Sequence, residues 1–76
     1  MNNTRRKELE RIVDVVSELK EQLEMLQGEE EEYRDNIPEN LQGSERYEKA
    51  DTACDNLYSA VSSLEEALDS INESME

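Results

Sequence analysis

Apolar side chains recur along this chain in alternating steps of three and four. In the first half Leu9, Ile12, Val16, Leu19, Leu23 and Leu26 form one stripe, and the same spacing continues through Glu30 to Tyr33. In the second half Tyr47, Ala50, Cys54, Leu57, Val61, Leu64, Leu68, Ile71 and Met75 keep it at every step. No segment alternates with the period of two that a half-buried strand requires. A three-four repeat held over about four heptads marks an amphipathic helix lying along a seam. Two helices are predicted, over roughly residues 4–35 and 45–75, each about 45 to 50 Å long at 1.5 Å per residue.

The interval between them reads as a hinge over about residues 36–44. Pro38 disfavours helical geometry at Ile37, Asn36 and Asn40 suit turns, and Ser44 is placed to cap the second helix. Gly28 is a weak point inside the first helix, costing about 1 kcal/mol relative to alanine. The heptad phase nevertheless holds from Leu26 to Tyr33, so the helix is expected to pass through it.

A short hinge lets the helices fold back on each other, and the charges favour that arrangement. Arg5, Arg6, Lys7 and Arg11 crowd the start of the first helix, where they oppose its own macrodipole. An antiparallel partner would set them beside the last turns of the second helix, with Glu65, Glu66, Asp69, Glu73 and Glu76. Arg34, Arg46 and Lys49 would likewise meet the Glu29 to Glu32 run at the hinge. Apolar residues are left over, namely Val13 and Val15 in one helix and the small Ala53, Ala60 and Ala67 in the other. A wider arc suits a helix with more than one neighbour. The expected fold is therefore all-α, an antiparallel two-helix hairpin in a single domain, pairing as a homo-oligomer into a four-helix bundle or a higher assembly.

Size and composition strengthen the case for an oligomer. The chain has 76 residues, 21 acidic against 8 basic, and a formal charge of -13. Chains this short seldom stabilise a fold on one core alone. The single cysteine cannot form an internal disulfide, and no signal peptide or long apolar run stands out, so a soluble, cytoplasmic protein is expected. Such a charge repels polyanions, which argues against direct binding to a DNA or RNA backbone, and with no long apolar run no membrane association is expected.

Catalysis finds few candidates. There is no histidine to serve as a base, and Cys54 falls on the main seam, where cysteine packs as a small hydrophobe. Glu30 with Glu31, or Asp51 with Asp55, do not match the spaced ligands of a calcium loop. No catalytic residue, cofactor or metal site is expected, and the chain reads as a non-enzyme. Mixed chemistry gathers only at the hinge, where Tyr33, Arg34, Ser44, Arg46, Tyr47 and Lys49 stand near the start of the second helix. A helix N-terminus offers free N–H groups to phosphate, and arginine adds a bidentate partner. The competing reading makes Ser44 a cap, lets Tyr33 and Tyr47 close the bundle end with Ile37 and Leu41, and assigns the cations to the Glu run.

The hinge run from Tyr33 to Tyr47, Tyr-Arg-Asp-Asn-Ile-Pro-Glu-Asn-Leu-Gln-Gly-Ser-Glu-Arg-Tyr, and the heptads from Leu57 to Leu68 resemble small acidic helical-hairpin proteins of phages and prophages of Firmicutes. In that group a DN-[IL]-PE-x-LQ-x-SER hinge joins two charged helices. The likeness spans nearly the whole chain, though only the hinge is distinctive. It implies a small phage protein in the bacterial host cytoplasm, of a kind often used in counter-defence. Some such proteins are oligomers that sequester cyclic nucleotide signals of bacterial immunity. On that implication Arg34, Ser44, Arg46, Tyr47 and Lys49 would hold a phosphate-bearing cyclic nucleotide. Two alternatives stand beside it: an acidic decoy or adaptor, a nucleic-acid mimic included, that engages a basic host protein; and a purely structural bundle.

Overall fold

A computed structural model describes all 76 residues as two long helices and a tight hinge. Helix α1 spans Asn3–Asp35, a single 3-10 turn covers Glu39–Leu41, and helix α2 spans Glu45–Ser74. The helices pack against each other as an antiparallel hairpin with extents of 59 × 15 × 13 Å. No strand is present.

Local chemistry sets the ends of both helices. The Asn2 side chain accepts a hydrogen bond from the Arg5 backbone N–H at 2.8 Å, capping α1. Ser44 caps α2, as its position in the sequence suggests: its Oγ accepts from the Tyr47 N–H at 3.3 Å and donates to the Leu41 carbonyl. Helix α1 runs without a break through Gly28, where an added Cβ would meet nothing within 4 Å. Replacing Gly28 with alanine should therefore stabilise the hairpin by about 0.5–1 kcal/mol. Thermal unfolding followed by circular dichroism checks this, and an unchanged or lowered midpoint would count against an uninterrupted helix.

Five side chains are buried: Ile37, Ala50, Cys54, Val61 and Leu68. The three most buried of them, Ile37, Ala50 and Cys54, lie at the hinge end. Every position of the α2 stripe from Tyr47 to Met75 is buried or half-buried, as its spacing predicts.

Helix α1 departs from its prediction. The residues it turns toward α2 are Arg6, Leu9, Val13, Val16, Lys20, Leu23, Gln27, Glu30 and Arg34, all half-buried. Ile12, Leu19, Leu26 and Tyr33, expected in the seam, are exposed. Half of the predicted stripe, Leu9, Val16, Leu23 and Glu30, keeps its place, while Val13, Lys20, Gln27 and Arg34 replace Ile12, Leu19, Leu26 and Tyr33, a rotation of about 50° about the helix axis.

The rotation has an electrostatic consequence. Beyond Lys49 the second helix carries no cation. The rotated face brings in Arg6, Lys20 and Arg34, spaced at two heptads, and each reaches α2. The Arg6 Nε donates to the Met75 carbonyl at 3.3 Å, Lys20 Nζ lies 3.6 Å from Glu65, and Arg34 Nη1 lies 3.0 Å from Asp51. The antiparallel sense itself follows from the hinge between Asp35 and Glu45, which is too short to carry the chain back along a helix of about 45 Å. The N-terminal cations do not pair with the acidic residues at the end of α2: none of Arg5, Arg6, Lys7 or Arg11 comes within 4.0 Å of a carboxylate. Only Arg6 acts there, on a terminal carbonyl at the negative end of the helix dipole.

Candidate functional site

The residues singled out in the sequence do not assemble into one cluster: Arg46 meets Tyr33 and Ser44 meets the Tyr47 N–H, while Arg34 and Lys49 pair with nearby carboxylates. Arg34 stands at the end of α1 and donates from Nε to Asp35 and from Nη1 to Asp51, each at 3.0 Å. Its guanidinium is held protonated more firmly than usual, first by the Asp35 hydrogen bond and then by Asp51, against some desolvation. Arg46, in the first turn of α2, donates from Nε to the Tyr33 hydroxyl at 2.8 Å, with its guanidinium carbon 5.3 Å from the ring centroid. Lys49 Nζ lies 3.1 Å from Glu45 on an open helix face. The Ser44 hydroxyl is used at both ends by the cap.

The hinge is thus held by separate internal contacts, with Arg46 and Tyr33 on its outside. The Glu29 to Glu32 run pairs with none of the hinge cations. Of the four apolar and aromatic residues expected to close the bundle end, Ile37 is buried and Tyr47 half-buried, while Tyr33 and Leu41 stay largely exposed.

Cys54 lies inside the seam, and burial pushes its thiol above the ordinary range; Arg34 opposes this, while Glu31, Glu30 and Asp51 add to it. A thiol so placed is poorly nucleophilic at neutral pH. No three acidic or cysteine side chains converge as metal ligands. No helix is long and apolar enough to cross a membrane.

Two grooves lie along the hairpin. One, of about 460 Å³, is polar and is lined by Gly28, Glu24, Glu31, Glu65 and Tyr58 among others. There Lys20 bridges Glu24 at 3.2 Å and Glu65, and its ammonium is held protonated chiefly by the Glu24 hydrogen bond. The other, of about 410 Å³, is apolar and lined by Val16, Leu19, Gln22, Leu23, Leu26 and Leu64. Its only sequence signal was the excess width of the α1 apolar arc. Compared with known proteins, the chain matches no family model, no curated protein and no solved structure.

Proposed function

We propose that the protein is a non-catalytic binding protein that presents the acidic outer surface of α2 to a basic host protein. One observation carries this reading. From Ala50 to Glu76 the chain has seven carboxylate side chains and no cation, and only Asp51 and Glu65 are paired, both to α1. Asp55, Glu66, Asp69 and Glu73 stand exposed on one rigid helix. A rod of spaced carboxylates matches a cationic protein surface and steers it electrostatically. The hinge resemblance to phage proteins supports a counter-defence setting for such a decoy.

The test is co-purification from a bacterial host. Basic partners should be lost as salt rises from about 50 to 300 mM, because the contact is between exposed charges. Reversing Asp55, Glu66 and Asp69 to lysine should abolish the association while helicity is kept. Partner binding that survives both treatments contradicts the reading.

The outward Arg46 and Tyr33 pair favours a second reading, capture of a cyclic nucleotide at the hinges of an oligomer. Phosphate would then have to compete with the Asp35 and Asp51 contacts of Arg34 and the Glu45 contact of Lys49. Under this reading Arg46→Ala abolishes binding of cyclic di- or trinucleotides in equilibrium dialysis; retained affinity rules it out.

A further inference from the structure

Helix α1 presents to solvent a face that a protein of this size ordinarily covers. Leu19 and Leu26 are 51% and 52% exposed, and Ile12, Val15, Met25 and Tyr33 lie open beside them. Ile12, Leu19, Leu26 and Tyr33 follow one another at strict seven-residue steps, the spacing of a helix-pairing seam. The apolar groove lies along the same face. It is flanked by Leu19 and Leu26, closed on the α2 side by Leu64, and centred near the middle of α1.

We propose that this face docks a second copy of the same chain, with the two α1 helices antiparallel about a two-fold axis, forming a four-helix bundle. The reading is independent of the acidic α2 surface, which stays on the outside of the bundle.

Three features select a second copy as the occupant. The first is area. The hairpin exposes 5686 Å², against about 4,800 Å² for a compact monomer of its mass. The excess of roughly 900 Å² is close to the ~800 Å² that each partner contributes to a standard interface. The second is shape. A seven-residue row is complementary to another row of the same period and length, and its mate is present on every copy. The groove lies where the two-fold would pass, so each copy's central leucines face the groove of the other.

The third is charge. Next to the apolar row on its outer side lie Glu8, Val15, Gln22 and Glu29, and beyond them, at the flank of the contact, runs a row of Arg11, Glu18, Met25 and Glu32, also at seven-residue steps. In an antiparallel pair such a row faces itself in reverse, which sets Arg11 against the second copy's Glu32 twice over. A parallel two-fold would instead put this row on opposite sides of the contact in the two copies, leaving Arg11 and Glu32 without a partner across it. The flanking charges therefore select the antiparallel two-fold.

Sedimentation equilibrium of the full chain tests the proposal. A two-copy species is expected, and it should tighten with added salt, because each copy carries a charge of -13. Leu19→Asp with Leu26→Asp should weaken association by at least about 100-fold. Both sites are open in the hairpin, so circular dichroism reports separately whether the helices persist. A double variant that still pairs overturns the proposal. So does a wild-type chain that is monomeric at every concentration, whether its apolar face is left bare or taken by another host protein, and so does a trimer or larger assembly. The register has its own test, on exposed positions that do not threaten folding. Arg11→Glu and Glu32→Arg should each weaken pairing by about five- to tenfold, and the two together should restore it. Failure of the combination to restore pairing overturns the antiparallel register.

Discussion

Replacing Ile37 with alanine is expected to cost about 2–5 kcal/mol and to leave much of the chain unfolded at room temperature. Ile37 is 2% exposed, the most buried side chain in the molecule. It sits where α1 ends, with its N–H donated to the Arg34 carbonyl, immediately before Pro38. The cost is large because so little else is buried. Only four other residues fall in the core, and none of them belongs to α1. Truncation here leaves a void at the junction of the two helices, and the pairing of everything beyond it depends on that junction. Urea unfolding followed by circular dichroism measures the effect. A midpoint close to that of the unaltered protein would show that the hinge does not anchor the hairpin.

Cys54→Asp is expected to be comparably damaging at neutral pH, for a different reason. The site is 4% exposed, and Glu30, Glu31 and Asp51 already impose a negative environment on it. Arg34 is the nearest counter-charge, but Asp35 and Asp51 hold it. A carboxylate introduced there loses its hydration without gaining a free partner, a cost of several kcal/mol. Its folded pKa would lie above the unfolded value of about 3.9, so the protonated form folds best and stability falls as pH rises through the folded pKa. The loss of packing in Cys54→Ala carries no such dependence. The gap in melting temperature between the two variants should be wide near pH 7.5 and should narrow toward pH 5.5, as linkage requires. A gap that does not change with pH would mean that water reaches position 54 and that the seam is not closed there.

Periodicity made both helices and the whole α2 stripe legible, and turn chemistry located the hinge and the Ser44 cap. The facing of α1 was not legible from hydrophobicity. Its apolar arc is wide enough to offer either of two seams, one through Ile12, Leu19 and Leu26 and one through Val13, Lys20 and Gln27. A hydrophobic pattern favours the first. The fold adopts the second, which brings Arg6, Lys20 and Arg34 to a helix that carries no cation beyond Lys49. That row was present in the chain as charge at two-heptad spacing, opposite a run with no cation of its own.

At the hinge, residue types did not tell which carboxylates the cations would choose: the Glu29 to Glu32 run was expected to meet them and pairs with none. Arg34 and Lys49 each had a carboxylate within reach along the chain or across the hairpin, and these nearest partners took them. Arg46 found a phenol instead, so its charge remains outward. The difference lies in side-chain reach, which one-dimensional spacing does not encode.

The rotation of α1 is the central claim, because it closes the hairpin and leaves the outer row for a second copy. It is tested most directly by the solvent accessibility of individual methyl groups, read from relaxation by a soluble paramagnetic agent at low and high protein concentration. Val61 and Leu68 should be protected at both concentrations. Leu19 and Leu26 should be accessible at low concentration and become protected at high concentration. Leu19 and Leu26 protected as fully as Val61 in the dilute protein would mean that α1 faces α2 with the other stripe, and leucines open at every concentration would mean that no second copy covers them.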